Sequence, residues 1–159
     1  MSKTQIRGTA IKDDSIKGAD VDESTLVLRH VYSVKYSKSD NADLAYTKWN
    51  ANGSTASPGV NNKFIMPGSG SLLKVLVRST SVMGSTAISL HKSSDGTADL
   101  STTPTETQTV NVSAANTVVT ATFSSANFSA NDIIGLSVNP TSAHGNVDLT
   151  IIVELDLSS

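Results

Sequence analysis

His30, His91 and His144 are the only imidazoles in the chain. None lies in an H-x-H or H-x-x-x-H pattern that would turn two rings toward one metal ion from a strand or a helix. Each is therefore expected to be a surface or packing residue. Serine is abundant, but G-x-S-x-G is absent, and a nucleophile elbow needs a strand-to-helix turn that this sequence does not suggest. Asp20, Asp22 and Glu23, with Asp13 and Asp14 upstream, gather carboxylates as a calcium loop does, yet they lack its spaced oxygen ligands and its glycine. They are read as a solvated polar face. With no cysteine in the sequence, a disulfide framework, a thiolate metal site and a cysteine nucleophile are all excluded. "NGS", "NVS" and "NFS" fit the glycosylation acceptor pattern, as chance provides in a chain so rich in Asn and Ser. The single Trp49 is expected partly in the core rather than as a sugar platform. No catalytic group, metal or cofactor is expected, and the chain is read as no enzyme.

The elements that would position such groups are strands. From Thr25 onward apolar residues recur with period two, in a chain dense in Val, Ile, Thr and Ser. "TLVLRHVYSVKYS" and "ADLAYTKWN" read as the first two strands. A long loop, "NANGSTASPGVNN", follows, turning sharply at Pro58-Gly59. Then come "NKFIM", "SLLKVLVRS", "STAISLHKS", "TETQTVNVS", "TVVTATFSS", "DIIGLSVNP" and "NVDLTIIVELDL". No stretch between them has helical periodicity. Short strands punctuated by turn residues predict an all-β fold: an antiparallel β-sandwich, jelly-roll-like, of about eight or nine strands.

Alternation also assigns faces. Leu73, Val75 and Val77 should lie opposite Leu72, Lys74, Leu76 and Arg78, and Val119, Ala121 and Phe123 opposite Val118, Thr120 and Thr122. The expected core is Leu28, Val34, Phe64, Val75, Val77, Ile88, Leu90, Val110, Val112, Phe123, Ile134, Leu136, Val138, Ile151 and Val153.

The N-terminal 24 residues are of another kind. Ile6, Ile11, Ile16, Val21 and Leu26 stand five positions apart with only small Ala between them as apolar company. Five helical steps turn each aliphatic about 140° from the last and leave no apolar face, while five strand steps send successive aliphatics to opposite sides. Burying these side chains offsets less free energy than ordering the backbone that carries them costs. The segment therefore needs backbone pairing with another surface, a neighbouring subunit, an intertwined trimer or a large scaffold; the alternative is a disordered polar tail, against which the regular spacing argues. The chain divides into an extended attachment and oligomerisation arm, residues 1–24, and a sandwich domain, residues 25–159.

Charge limits the partners. Lys and Arg number 12 against 14 Asp and Glu, which gives no footprint for nucleic acid and no polybasic membrane patch. No run approaches the roughly 18 apolar residues of a membrane span, and "MSKTQIRG" opens no apolar signal region. Neither a membrane location nor export by a cleaved signal is expected.

The runs "TQIRGTAIKDDSIKGADVDESTL", "KFIMPGSGSLLKVLVRSTS", "ISLHKSSDGT" and "FSANDIIGLSVNP" resemble accessory virion proteins of tailed bacteriophages, which join an N-terminal arm to a β-sandwich. The resemblance implies a homotrimer that decorates or cements a capsid in the virion. It would bind the major capsid protein or another virion protein through Ile6, Ile11, Ile16, Val21 and Leu26. The alternative it implies is a head-fibre or tail-fibre component whose distal loops bind a host-surface glycan or receptor.

Overall fold

The structure, a computed structural model, describes residues 27–37, 44–49, 52–58, 63–94, 100–142 and 144–156. Its elements are β1 (Val27–Ser37), β2 (Ala45–Thr47), β3 (Ser54–Thr55), β4 (Phe64–Ile65), β5 (Ser69–Ser79), β6 (Gly84–Ser93), β7 (Glu106–Val112), β8 (Val118–Thr122), β9 (Asn127–Phe128), β10 (Ile133–Pro140) and β11 (Asn146–Asp156). They form two antiparallel sheets that face each other as a sandwich. One has the order β1-β11-β5-β8, with β9 also on β5; the other has the order β3-β2-β10-β6-β7, with β4 also on β10. The all-β sandwich read from the sequence is the architecture observed. Among the described residues it has two strands more than the nine segments read from the sequence, because β3 and β9 are two-residue pairings inside stretches that carry turn chemistry.

The chain crosses between sheets at β1–β2, β4–β5, β5–β6, β7–β8, β9–β10 and β10–β11. At the β5–β6 corner Gly84 has φ +66°, in the left-handed region, and a Cβ there would meet Thr141 Oγ1 at 2.6 Å. Only glycine meets both demands. Within the sheet, Gly70 admits the β11 backbone: a Cβ would lie 2.0 Å from the Glu154 carbonyl oxygen.

Between the sheets lies one continuous core. Val34, Leu72, Val75, Val77, Ile88, Leu90, Ile134, Leu136, Val138, Leu149, Ile151, Val153 and Leu155 are buried in it, with Trp49, Met66 and Met83 filling its margins. Most of the expected core is there. Leu28 is the exception: it lies on the core side of β1 but is 38% exposed, because it stands at the end of the sandwich. Phe64 and Val110 only pack against the core from outside.

The face assignment for β5 needs a correction. The β5–β11 register shifts at Ile152/Val153, so that Ile152 pairs with Lys74 and Val153 with Leu72, and Leu73 is left without a partner in that ladder. This bulge reverses the alternation before Lys74. Leu72 thereby joins Val75 and Val77 inside, while Leu73 is only half-buried. For β8 the expected faces hold, with Ala121 and the following Phe123 buried and Val118, Thr120 and Thr122 exposed.

Candidate functional site

Catalysis can be tested first, because the fold does unite one serine with one histidine. Ser137 on β10 stands two residues from Gly135, the register partner of His91 on β6, and Ser137 Oγ lies 2.7 Å from His91 Nε2. His91 Nδ1 is 2.9 Å from the Ser101 carbonyl, which can only accept, so Nδ1 carries the proton and Nε2 accepts from the Ser137 hydroxyl. Burial holds the His91 pKa below the ordinary histidine value, partly countered by the bond to Ser101, and this favours the neutral ring. The pair has the hydrogen bond of a nucleophile and its base but not the access. Ser137 is 2% and His91 3% exposed, and the Tyr46 ring packs at 5.2 Å from the imidazole. The network satisfies buried polar groups on the face of the β10-containing sheet opposite to Ile88, Leu90, Leu136 and Val138. Among the described residues no group of His, Cys, Asp and Glu is placed to hold a metal ion. No described helix is long and apolar enough to cross a membrane.

The second candidate is a backbone surface. β1 ends its sheet and pairs with β11 on one side through an unbroken register from Val27↔Asp156 to Ser37↔Asn146. The direction of its other polar groups follows from one bond: the Lys35 carbonyl accepts from Gly53 N–H at 2.7 Å. In an antiparallel strand the N–H and C=O of a given residue point the same way. Val27, Arg29, Val31, Ser33 and Lys35 therefore direct their backbone groups away from β11, and Leu28, His30, Tyr32, Val34 and Tyr36 direct theirs into the ladder. Among the described residues, Gly53 is the only backbone group that meets this free side. Arg29, Val31, Ser33 and Lys35 also carry the outward side chains. Val31 is 64% exposed, flanked by Arg29, whose Nε is 3.2 Å from Glu154 Oε2.

At its Lys35 end this strand borders a cleft of about 540 Å³ lined by Lys35, Asn52, Arg78, Thr80, Asn146 and Asp148, among others. Asp148 lies between the two cations, 2.9 Å from Arg78 Nη1 and 4.0 Å from Lys35 Nζ. Arg78 Nη2 also donates to Asn116 Oδ1 at 2.7 Å, an asparagine held in the left-handed region at φ 61°. The cleft is open and, with Lys35 and Arg78 against Asp148, net cationic. Nearby, Tyr36 and His144 meet edge to face at 5.7 Å, and Tyr36 Oη and His144 Nε2 are buried without a hydrogen-bond partner among the described residues. Burial raises the Tyr36 pKa well above the usual phenol value.

No family model matches the chain, and no curated protein matches it. Among solved structures it is similar to a chain described under "Bacillus endospore appendages form a novel family of disulfide-linked pili". That match has a TM-score of 0.39 and 17% identity, and covers 83% of this chain and 89% of the other. The match is to an appendage protein and overturns the expected resemblance to phage virion proteins. Capsid decoration and the capsid partner were implied by that resemblance and lose their support.

The attachment residues read from the sequence, Ile6, Ile11, Ile16, Val21 and Leu26, lie outside the described residues. The exposed β1 edge was not anticipated. "TLVLRHVYSVKYS" reads as a strand, but nothing in its residue types says which neighbour it lacks. The cationic cleft was missed for the same reason: Lys35, Asp148 and Arg78 come from three strands and share a row only in the folded register.

Proposed function

We propose that the protein is a non-enzymatic structural subunit that associates with copies of itself, the N-terminal arm of one copy adding a strand to the free β1 edge of the next. The observation that carries this reading is the free side of β1, where up to five consecutive odd-numbered residues direct backbone groups outward beside an exposed valine. An unpaired edge of this length is a template for another strand. The arm supplies what such a site needs. Its aliphatics, spaced by five, fall alternately on the two faces of an added strand, and β1 shows one exposed aliphatic on each face, Val31 outward and Leu28 on the core side. With no cysteine in the sequence, contacts made by these residues involve no disulfide.

Arm-to-edge pairing joins unlike surfaces. It closes into a ring, of which the trimer expected from the sequence is one case, or continues as a filament. Sedimentation of the full chain against the chain lacking residues 1–24 tests the reading: the full chain should associate in the micromolar range and the shortened chain should remain monomeric and folded. Ser33→Pro in the full chain should act like the deletion, because the lost N–H faces outward and serves only a new strand. A full chain that stays monomeric at all concentrations, or one whose association survives both changes, overturns the proposal.

A further inference from the structure

The outward face of β1 and one stretch of the arm match residue by residue. Along β1 the outward side chains are Arg29, Val31, Ser33 and Lys35, an order of cation, aliphatic, small polar, cation with the two charges six residues or about 20 Å apart. In the arm, positions of one parity read Asp14, Ile16, Gly18 and Asp20: anion, aliphatic, small, anion, with the carboxylates again six residues apart. We propose that Asp14–Asp20 of a second copy adds to β1 in parallel, with Asp14 beside Arg29, Ile16 beside Val31, Gly18 beside Ser33 and Asp20 beside Lys35. This rests on the arm-to-edge reading and specifies its register, direction and source.

Charge supports the arrangement. The outward face of the β1-containing sheet carries Arg29, Lys35, Lys74 and Arg78 against Asp148 and Glu154, while residues 13–23 of the arm carry five carboxylates and one lysine. Lys35 is only weakly neutralised, at 4.0 Å from Asp148, and it opens onto the cleft where Arg78 also lies. Asp20 would enter at that mouth.

Direction decides the source. In the parallel register Asp20 stands beside Lys35, about 26 Å along β1 from Val27, the residue to which the same arm must return if it belongs to the same copy. Seven residues would have to span that distance fully extended, whereas parallel neighbours need a connection of a dozen or more. A second copy meets no such limit. The same copy could only fold its arm back antiparallel, and that pairing exchanges the partners: Asp20 falls beside Arg29, and Ile16 faces Ser33 instead of Val31.

Charge exchange in full-length chains tests this. Lys35→Glu and Asp20→Lys should each weaken self-association about tenfold or more, since each places like charges side by side. An equimolar mixture of the two should recover association, because the Lys35→Glu copy has an intact arm for the other's intact edge, and the reversed pair is again complementary. One intact arm and one intact edge are present in either mixture, so one-to-one pairs form in both; assembly beyond pairs when Asp20→Lys is mixed with Arg29→Glu, and only pairs when it is mixed with Lys35→Glu, overturns the parallel register. Loss of association in Ser33→Pro with no effect of any charge exchange overturns the register while leaving arm-to-edge pairing standing. If Ser33→Pro also has no effect, both fall. Circular dichroism melts of each variant establish that it is folded.

Discussion

The two sides of the sandwich are closed to different degrees. On one side β7 and β8, from opposite sheets, lie against each other. Glu106 on β7 reaches across to accept from Ser124 N–H at 3.1 Å and Ser125 N–H at 2.6 Å, just beyond β8. Lys92 adds a second link, donating to the Asn127 carbonyl at 3.3 Å and lying 3.7 Å from the buried Asp132 carboxylate. On the other side, among the described residues, a single backbone bond from Gly53 meets the eleven-residue edge of β1. A sandwich that ties one seam with charged hydrogen bonds and leaves the other strand's polar groups directed outward has one finished side and one side available for pairing.

The largest expected effect separates the two lateral directions of β1 itself. His30→Pro removes an N–H that faces β11 and should cost about 2 to 3 kcal/mol of unfolding free energy by urea titration. Ser33→Pro should cost no more than about 1 kcal/mol and act on association instead. Equal losses at both positions would remove the distinction between ladder and free sides.

Next in size is a register test of the open side. One residue inserted between Ile16 and Gly18 turns Asp14 and Ile16 to the other face of an added strand, so association should fall about tenfold or more. The same insertion between Ile11 and Lys12 leaves Asp14–Asp20 intact and should have a much smaller effect, read by sedimentation velocity.

On the closed side, Glu106→Ala should lower stability by about 1 kcal/mol, with Glu106→Gln falling between it and the parent, because the clasp is exposed and partly screened. Its pH dependence has a definite sign. Burial is the largest single influence and raises the Glu106 pKa, but the Ser124 and Ser125 N–H groups and the Gln108 and Ser124 side chains together outweigh it and hold the pKa below 4.5. The clasp therefore stabilises fully above about pH 4.5 and is lost as pH falls through the lowered value. The stability difference between parent and Glu106→Gln should shrink over that window.

The smallest effect belongs to His91. Its lowered pKa means that the unfolded chain takes up a proton first, so the parent should lose stability as pH falls below about 6.5 toward the folded value. Urea titrations at neutral and mildly acid pH should show this slope in the parent and a flatter one in His91→Gln.

Much of this molecule was legible before it was folded. Period-two alternation is a local consequence of the extended backbone, so β1, β5 through β8, β10 and β11 could be placed from the residues that make them, and most of the core with them. The failures are equally physical. The bulge at Leu73 moves one residue and thereby exchanges inside for outside, and it shows only in the pairing with β11, where Ile152 meets Lys74 and Val153 meets Leu72. Met66 and Met83, absent from the expected core, lie in it just outside β4 and β6, where no alternation announces them, whereas Trp49 is in the core as expected. Ser137 and His91, 46 residues apart, meet only because β10 and β6 are neighbours.

The sequence by itself determined that the chain would form strands with one apolar face each, and that its N-terminal aliphatics follow no rule of a self-contained helix or half-buried strand. These are properties of residue types and short spacing, set by backbone geometry and by the aversion of apolar side chains for water. Only the tertiary structure decided which strand stands at the rim, which backbone groups face outward and which charges share a row. Hydrogen bonding between strands joins residues without regard to their separation in sequence, so the free edge of β1 becomes visible only when every other strand has found its neighbours.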